Sequence, residues 1–268
     1  MHHARDVQST AAVRFGSYLC LKLTGDVARA LAALDMQALA GSLGLHNEFE
    51  PGADHPRHAI AFLRRVSARP AQKADAGLEH ADAIVHVASD TLAPVSELQR
   101  AIERVVEPRA LRVLSGVVRP PSYTGTAMHN YAYAQRVLQQ SGRSMPNAFL
   151  MPLSKTAAWW SKSWMERHTY VLPRYDLEGR RQHEGHALVC EPGIACLMRR
   201  TYKQVDEPAA PGTYDFINYF ECADAHLPVF HGICAGLRDV SRNPEWRFVL
   251  EGPTWHGRRV ASWPELLD

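Results

Sequence analysis

Apolar and polar residues alternate in short runs along this chain, and the order of the runs repeats. Gly16 to Leu23 (Gly-Ser-Tyr-Leu-Cys-Leu-Lys-Leu) reads as a strand, and Asp26 is placed to cap a helix running to about Leu43. His58 to Val66 and Ala81 to Ala88 read as two further strands, the second carrying Asp-Ala-Ile-Val-His-Val in its middle. Pro94 to Val106 sets Leu98, Ile102 and Val105 or Val106 on one helical face. Leu111 to Val118 is a strand stopped by Pro120-Pro121. The order is β-α-β-β-α-β.

The second half repeats it. Asn147 to Leu153 is a strand, followed by a helical region from Lys155 to about Leu188, broken near Pro173. Ile194 to Tyr202 and Tyr214 to Cys222 are strands, with the stretch Glu207 to Gly212 turning between them. Leu227 to Val240 is a helix, and Trp246 to Leu250 is the last strand, closed by Glu251-Gly252-Pro253. Two tandem β-α-β-β-α-β units predict an α+β fold of two ferredoxin-like units, residues 1–125 and 126–268. Each sheet has an open face, and the two bury theirs together in an α+β barrel within the chain. The irregular stretch from about Pro120 to Met145 is the expected linker.

Composition narrows the function. The 268 residues are 46% hydrophobic and 22% charged, as in an ordinary folded protein. The net charge of +2 comes without a concentrated Lys/Arg block, which argues against nucleic acid as a partner. No apolar run approaches the roughly 20 residues that span a bilayer. The start, Met1-His2-His3-Ala4-Arg5-Asp6, leads into no apolar segment of a secretory signal, so the expectation is a cytoplasmic protein without a membrane partner. The five cysteines, at 20, 190, 196, 222 and 234, show no Cys-x-x-Cys spacing. They read as reduced thiols rather than a zinc ribbon or disulfide scaffold.

The chemistry concentrates in the second half. His186 sits near the end of a predicted helix, a rigid place from which an imidazole can ligate iron, zinc or copper. Arg199 lies 13 residues on (199 − 186), on a predicted strand that returns along the same pocket after Pro192-Gly193. A permanently charged guanidinium there can hold an anion or stabilise developing negative charge. Trp159 and Trp160 offer the flat apolar area that a macrocycle needs, and Lys155 and Tyr123 suit carboxylates such as haem propionates. Plainer readings stand beside these. Among 14 histidines, His186 also reads as a surface helix residue, Arg199 as a cross-strand ion-pair partner, and the Trp pair as core. His183 and His186, three apart, also read as a two-histidine metal site without an evident third ligand, and His183 rivals His186 as a single ligand.

Taken together, Lys155, Trp159, Trp160, His186 and Arg199 resemble the chlorite dismutase-like family of haem proteins. There a Lys-x-x-x-Trp-Trp motif follows a strand, a proximal His ends a helix, and an Arg follows 13 residues later. Arg119 and Tyr123 (Arg-Pro-x-Ser-Tyr), Tyr219-Phe220-Glu221 and Gly252 to Gly257 look similar as well, so the likeness runs from about Arg119 to the C-terminus. It implies haem b held by His186, with Tyr123 and Lys155 at the propionates, Trp159 and Trp160 along the ring, and Arg199 as the catalytic clamp over the opposite face. It implies an enzyme that breaks chlorite into chloride and dioxygen, or runs a related peroxide-driven reaction. The alternatives are a cytoplasmic family member turned to an organic or nitrogenous substrate, and a non-catalytic haem carrier or sensor. It also implies a homo-oligomer, commonly a pentameric ring. A sister branch decarboxylates coprohaem with a Tyr in a Tyr-Pro-Met-Ser-Lys motif; the matching run here is Met151-Pro-Leu-Ser-Lys155, and methionine cannot form the phenoxyl radical needed. About a dozen extra residues, including Trp164, His168, Tyr170 and Pro173, lie between Trp160 and His186. Arg242 stands where the family places a Glu that supports the proximal His, unless Asp239 or Glu245 replaces it.

Overall fold

A computed structural model describes residues 14–48, 58–118, 142–203 and 212–268. The described strands are β1 (Arg14–Leu21), β2 (His46–Asn47), β3 (His58–Arg69), β4 (Ala83–Ser89), β5 (Leu111–Val118), β6 (Asn147–Lys155), β7 (Arg174–Tyr175), β8 (Arg181–His183), β9 (Met198–Lys203), β10 (Phe216–Cys222), β11 (Val249–Glu251) and β12 (Thr254–Val260). Eight of them close on themselves in the order β9, β5, β1, β4, β3, β12, β6, β10, every neighbour antiparallel. Within that circuit β5-β1-β4-β3 comes from the first half and β12-β6-β10-β9 from the second. Each set has the strand order of a ferredoxin-like unit, and the α+β barrel expected from the sequence is the fold. The expected boundary at 125/126 falls outside the described residues.

Alternation explains the layers. On β1, Tyr18 and Cys20 point into the barrel, and Leu19 and Leu21 point out. The outward set meets Val27 and Leu31 of the helix Gly25–Ala32, and Val95, Leu98 and Ile102 of the helix Leu92–Glu103. In the second half the outward residues Phe149, Met151 and Phe220 meet Phe230, Ile233 and Leu237 of the helix Leu227–Arg238. Closure removes the free edges that an eight-strand sheet would otherwise expose.

The barrel interior is polar at one end. Glu48, which follows β2, is buried 2.9 Å from Arg200 and 3.5 Å from Arg259, with Arg14 at 3.9 Å. Arg259 also pairs with Glu221, which accepts the Tyr219 hydroxyl at 2.5 Å. Beside them His86 stacks on Tyr18 with ring centroids 4.2 Å apart. Its Nδ1 donates to the Ser17 carbonyl at 3.2 Å and its Nε2 accepts from Tyr202 at 3.2 Å. Burial holds this imidazole down at about 3, so it stays neutral. Gly16 is required here, because a Cβ would lie within the Tyr202 ring.

Several elements differ from the sequence reading. The first helix is two, Gly25–Ala32 capped by Thr24 and Met36–Ser42 capped by Asp35, because the chain turns between them. The expected helix from Lys155 to Leu188 is instead the short helices Ala157–Trp160 and Trp164–Val171, the β7–β8 hairpin, and the helix Gly185–Cys190. Asp176 accepts the backbone N–H groups of Glu178 and Arg180 and builds the hairpin turn. Of the strand expected at Trp246 to Leu250, only the end is strand, the short β11 paired with β6, because Pro244–Phe248 is a 3-10 turn; the barrel strand is β12, which pairs with both β3 and β6. Among the described residues no helix is long and apolar enough to cross a membrane.

The Glu48 cluster yields a prediction. Burial disfavours the carboxylate charge, yet Arg200 and Arg259 outweigh burial and hold its pKa far below the ordinary carboxylate value. Its stabilising effect is therefore present above that ordinary value and is lost as pH falls toward the folded value. Glu48→Gln leaves buried guanidiniums uncompensated and is expected to cost about 3–5 kcal/mol, read from urea unfolding at neutral pH.

Candidate functional site

β6 ends at Lys155, on the outer face that also carries Phe149 and Met151, and its side chain is buried there. The Lys155 ammonium lies 2.5 Å from Glu245 Oε1, and the other oxygen of that carboxylate lies 3.1 Å from His186 Nδ1. Three elements distant in sequence meet at one carboxylate. Glu245 sits on the 3-10 turn Pro244–Phe248, anchored by the buried Asn243, whose side chain donates to the Leu237 carbonyl at 3.0 Å. His186 is the second residue of its helix, not near its end as the pattern suggested. Gly185 adopts φ +66°, and a side chain there would strike the Leu172 and Val171 carbonyls, so only glycine lets the chain enter the helix at this point. The Arg242 carbonyl accepts from both Glu184 N–H and Gly185 N–H at 3.0 Å, fixing the entry.

Of the two acidic candidates, Asp239 and Glu245, only Glu245 reaches the imidazole. Asp239 bonds Ser241 in its own turn, and the Arg242 side chain pairs with Glu184 at 2.8 Å. His183 closes β8 and does not share a helix face with His186. Its Nδ1 has no hydrogen-bond partner among the described residues. No group of three or more metal-ligating side chains forms among the described residues.

Electrostatics tighten the cluster. Burial works against the charged His186 ring, but Cys190, which also hydrogen-bonds it, and Glu245 hold its pKa up at about 10. Burial likewise opposes the Glu245 charge, while Lys155 and His186 outweigh it and keep the carboxyl far below its usual range. Burial raises the Cys190 thiol, but His186 and then Arg199 pull its pKa below the ordinary thiol value. Cys190 thus lies in the field of both His186 and Arg199. On β9, Arg199 lies on the outward face opposite Phe220 of β10.

The remaining candidates take distinct places. Trp159 is fully buried against Tyr170 and Phe248, with the Lys155 ammonium 4.4 Å from its ring centroid, so it supports Lys155 from behind. Trp160 faces Phe216 of β10 at 6.3 Å, 15° from parallel. The extra residues between Trp160 and His186 brace this pair. Arg167 donates to the Trp159 and Trp160 carbonyls at 3.3 and 2.8 Å and stacks over Trp160. Tyr123 and Arg119 lie outside the described residues. Lys155, expected at a propionate, is buried in its pair with Glu245. Sequence reasoning overlooked Cys190; its position four residues after His186 was the available signal.

This donor set suits an iron macrocycle. An imidazole whose Nδ1 is held by a carboxylate has the basicity of its ring raised, which suits it to hold a metal. Among the described residues the indole N–H of Trp160 is buried without a hydrogen-bond partner, and its ring offers flat apolar area. Glu245→Gln removes the anion from Nδ1 and is expected to lower the His186 pKa from about 10 toward the ordinary imidazole value, followed by NMR titration of the ring protons in the protein without added cofactor.

No protein-family model and no curated protein matches the chain. Solved structures do. Chlorite dismutase of Candidatus Nitrospira defluvii in complex with imidazole aligns with a TM-score of 0.64 and 20% identity, over 95% of this chain and 93% of that one. A cyanide complex of a mutant of the same enzyme aligns equally well. A dimeric chlorite dismutase from Nitrobacter winogradskyi aligns with a TM-score of 0.52 and 18% identity, over 75% of this chain and 99% of that one. The polypeptide described here has the chlorite dismutase-like α+β fold.

Proposed function

We propose that this protein is a haem b-dependent oxidoreductase of chlorite dismutase type, with His186 as axial ligand and Arg199 as the catalytic residue over the opposite face. The observation that carries the reading is the Lys155–Glu245–His186 relay, in which a buried carboxylate accepts from one imidazole nitrogen and would make the ring a stronger ligand for iron. Bound haem iron would supply the redox centre at which an oxyanion or a peroxide is cleaved.

The chain's own residues supply the rest. Glu245 fixes the imidazole tautomer and makes it a stronger donor. Lys155 neutralises Glu245 and holds it in place, a role its burial favours over propionate binding. Arg199 offers a fixed positive charge to an anionic substrate and to negative charge that develops on it. Trp160 and Phe216 form an apolar wall that keeps water from the ring, Trp159 backs Lys155, and Tyr123 is assigned to a propionate by its motif alone. A self-associating ring remains part of this proposal.

The test is spectroscopic first and kinetic second. Purified protein given haemin is expected to show a sharp Soret band, altered or lost in His186→Ala. Haem-loaded protein is expected to release dioxygen from chlorite, and Arg199→Ala to slow that release about 100-fold, the scale for removing one preorganised charge. A Soret band without dioxygen release would keep the cofactor and discard chlorite in favour of an organic or nitrogenous substrate.

A further inference from the structure

The wall that carries Arg199 is not uniformly apolar. β9 and β10 pair so that Arg199 faces Phe220, Thr201 faces Asn218, and Lys203 faces Phe216. Residues opposite one another in an antiparallel pair share a face, so all six stand on the outer side. Asn218 falls between Phe220 of one apolar cluster and Phe216 of the next, and its other strand neighbour is Met151. A polar pair in such a wall is costly unless it is solvated or used.

The Thr201 hydroxyl donates to Asn218 Oδ1 at 2.9 Å, and one Asn218 N–H donates to the Met151 carbonyl at 3.4 Å. Among the described residues that leaves the second Asn218 N–H and the Thr201 oxygen lone pairs. Both side chains are only half-buried, so these groups border open space rather than core. Thr201 lies two residues from Arg199 on the same strand face, a step of roughly 7 Å. An anionic group held by Arg199 would therefore have a second hydrogen-bonding position one strand step away, between two apolar clusters. Few polar groups placed in an apolar wall are the usual means by which a small-molecule site orients its ligand.

We infer that Thr201 and Asn218 determine specificity at this site, selecting an organic oxyanion that carries a second hydrogen-bonding group such as a hydroxyl. This rests on the pocket assignment above and not on chlorite as the substrate. A triatomic oxyanion satisfies Arg199 alone, whereas the register offers a two-point match.

Benzoate and 4-hydroxybenzoate separate the two cases, since both carry the carboxylate and only one carries a hydroxyl across the ring. Titrated into haemin-loaded protein and followed by the Soret shift, the hydroxylated acid is expected to bind about 5–10-fold tighter, the scale of one to two net hydrogen bonds. Thr201→Val and Asn218→Leu are each expected to bring the ratio close to one, and Thr201→Ser to keep it. Soret intensity reports that each variant still folds and loads. A ratio near one in the wild type, or one that survives both variants, overturns the inference. A second readout works without haem: the Asn218 side-chain amide, identified by its absence in Asn218→Leu, is expected to shift on addition of 4-hydroxybenzoate but not of benzoate. An absent Soret band would sink the haem proposal, and an unmoved Asn218 amide would sink this one.

Discussion

Arg199 and Arg200 are neighbours in the chain and lie on opposite sides of the sheet. Strand alternation sends Arg200 into the barrel, where Glu48 meets it at 2.9 Å, and turns Arg199 outward opposite Phe220. A slip of one residue would exchange them, placing the wrong arginine at each site. The buried ion pair therefore acts on the outer face as well. By making one register of β9 far better than its neighbours, it holds the guanidinium that faces the helices. Interior charges of this kind add little net stability compared with an apolar core; their value here is specification of register.

The other half of the site depends on a second shared carboxylate. Glu245 joins the end of β6, the 3-10 turn after the helix Leu227–Arg238, and the first turn of the helix Gly185–Cys190. Lys155 and Glu245 are both nearly buried, so neither charge is tolerable without the other. Backbone geometry prepares the meeting: positive φ at Gly185 and two hydrogen bonds to the Arg242 carbonyl set the angle at which His186 enters. The helix Trp164–Val171 adds rigidity through Arg167 and Tyr170, which hold the Trp pair that backs Lys155 and faces the sheet. The site is thus assembled between a sheet wall with a fixed register and a group of short helices with fixed entries.

The legible parts of the sequence were those with a clean period. β1, β4, β5 and β10 were found close to their observed positions because their inward and outward residues differ in kind or are uniformly apolar. β12 was missed, since the last strand was placed at Trp246 to Leu250 and closed by Glu251-Gly252-Pro253. Arg259 is buried only because Glu48 and Glu221, distant in sequence, neutralise it. The hairpin between Arg174 and His183 was hidden for a similar reason: its strands are two and three residues long, too short for any period to show, and its turn is made by local bonds to Asp176.

Residue type and spacing made His186, Arg199, Lys155 and the Trp pair candidates, since a ligand, a charge and flat rings are chemical kinds visible in one dimension, and their resemblance to the chlorite dismutase-like motifs singled them out. Residue type and spacing also set the α+β class, since the order of periods distinguishes alternating strands from amphipathic helices. Which carboxylate supports His186 was decided only in three dimensions: Asp239 and Glu245 lie within seven residues, and the 3-10 turn brings just one of them to the imidazole. The contacts of Glu48, Thr201 and Asn218 were likewise decided by tertiary structure. Each is an ordinary polar residue in sequence, and its environment comes from strands and turns that the chain brings together only when the barrel closes.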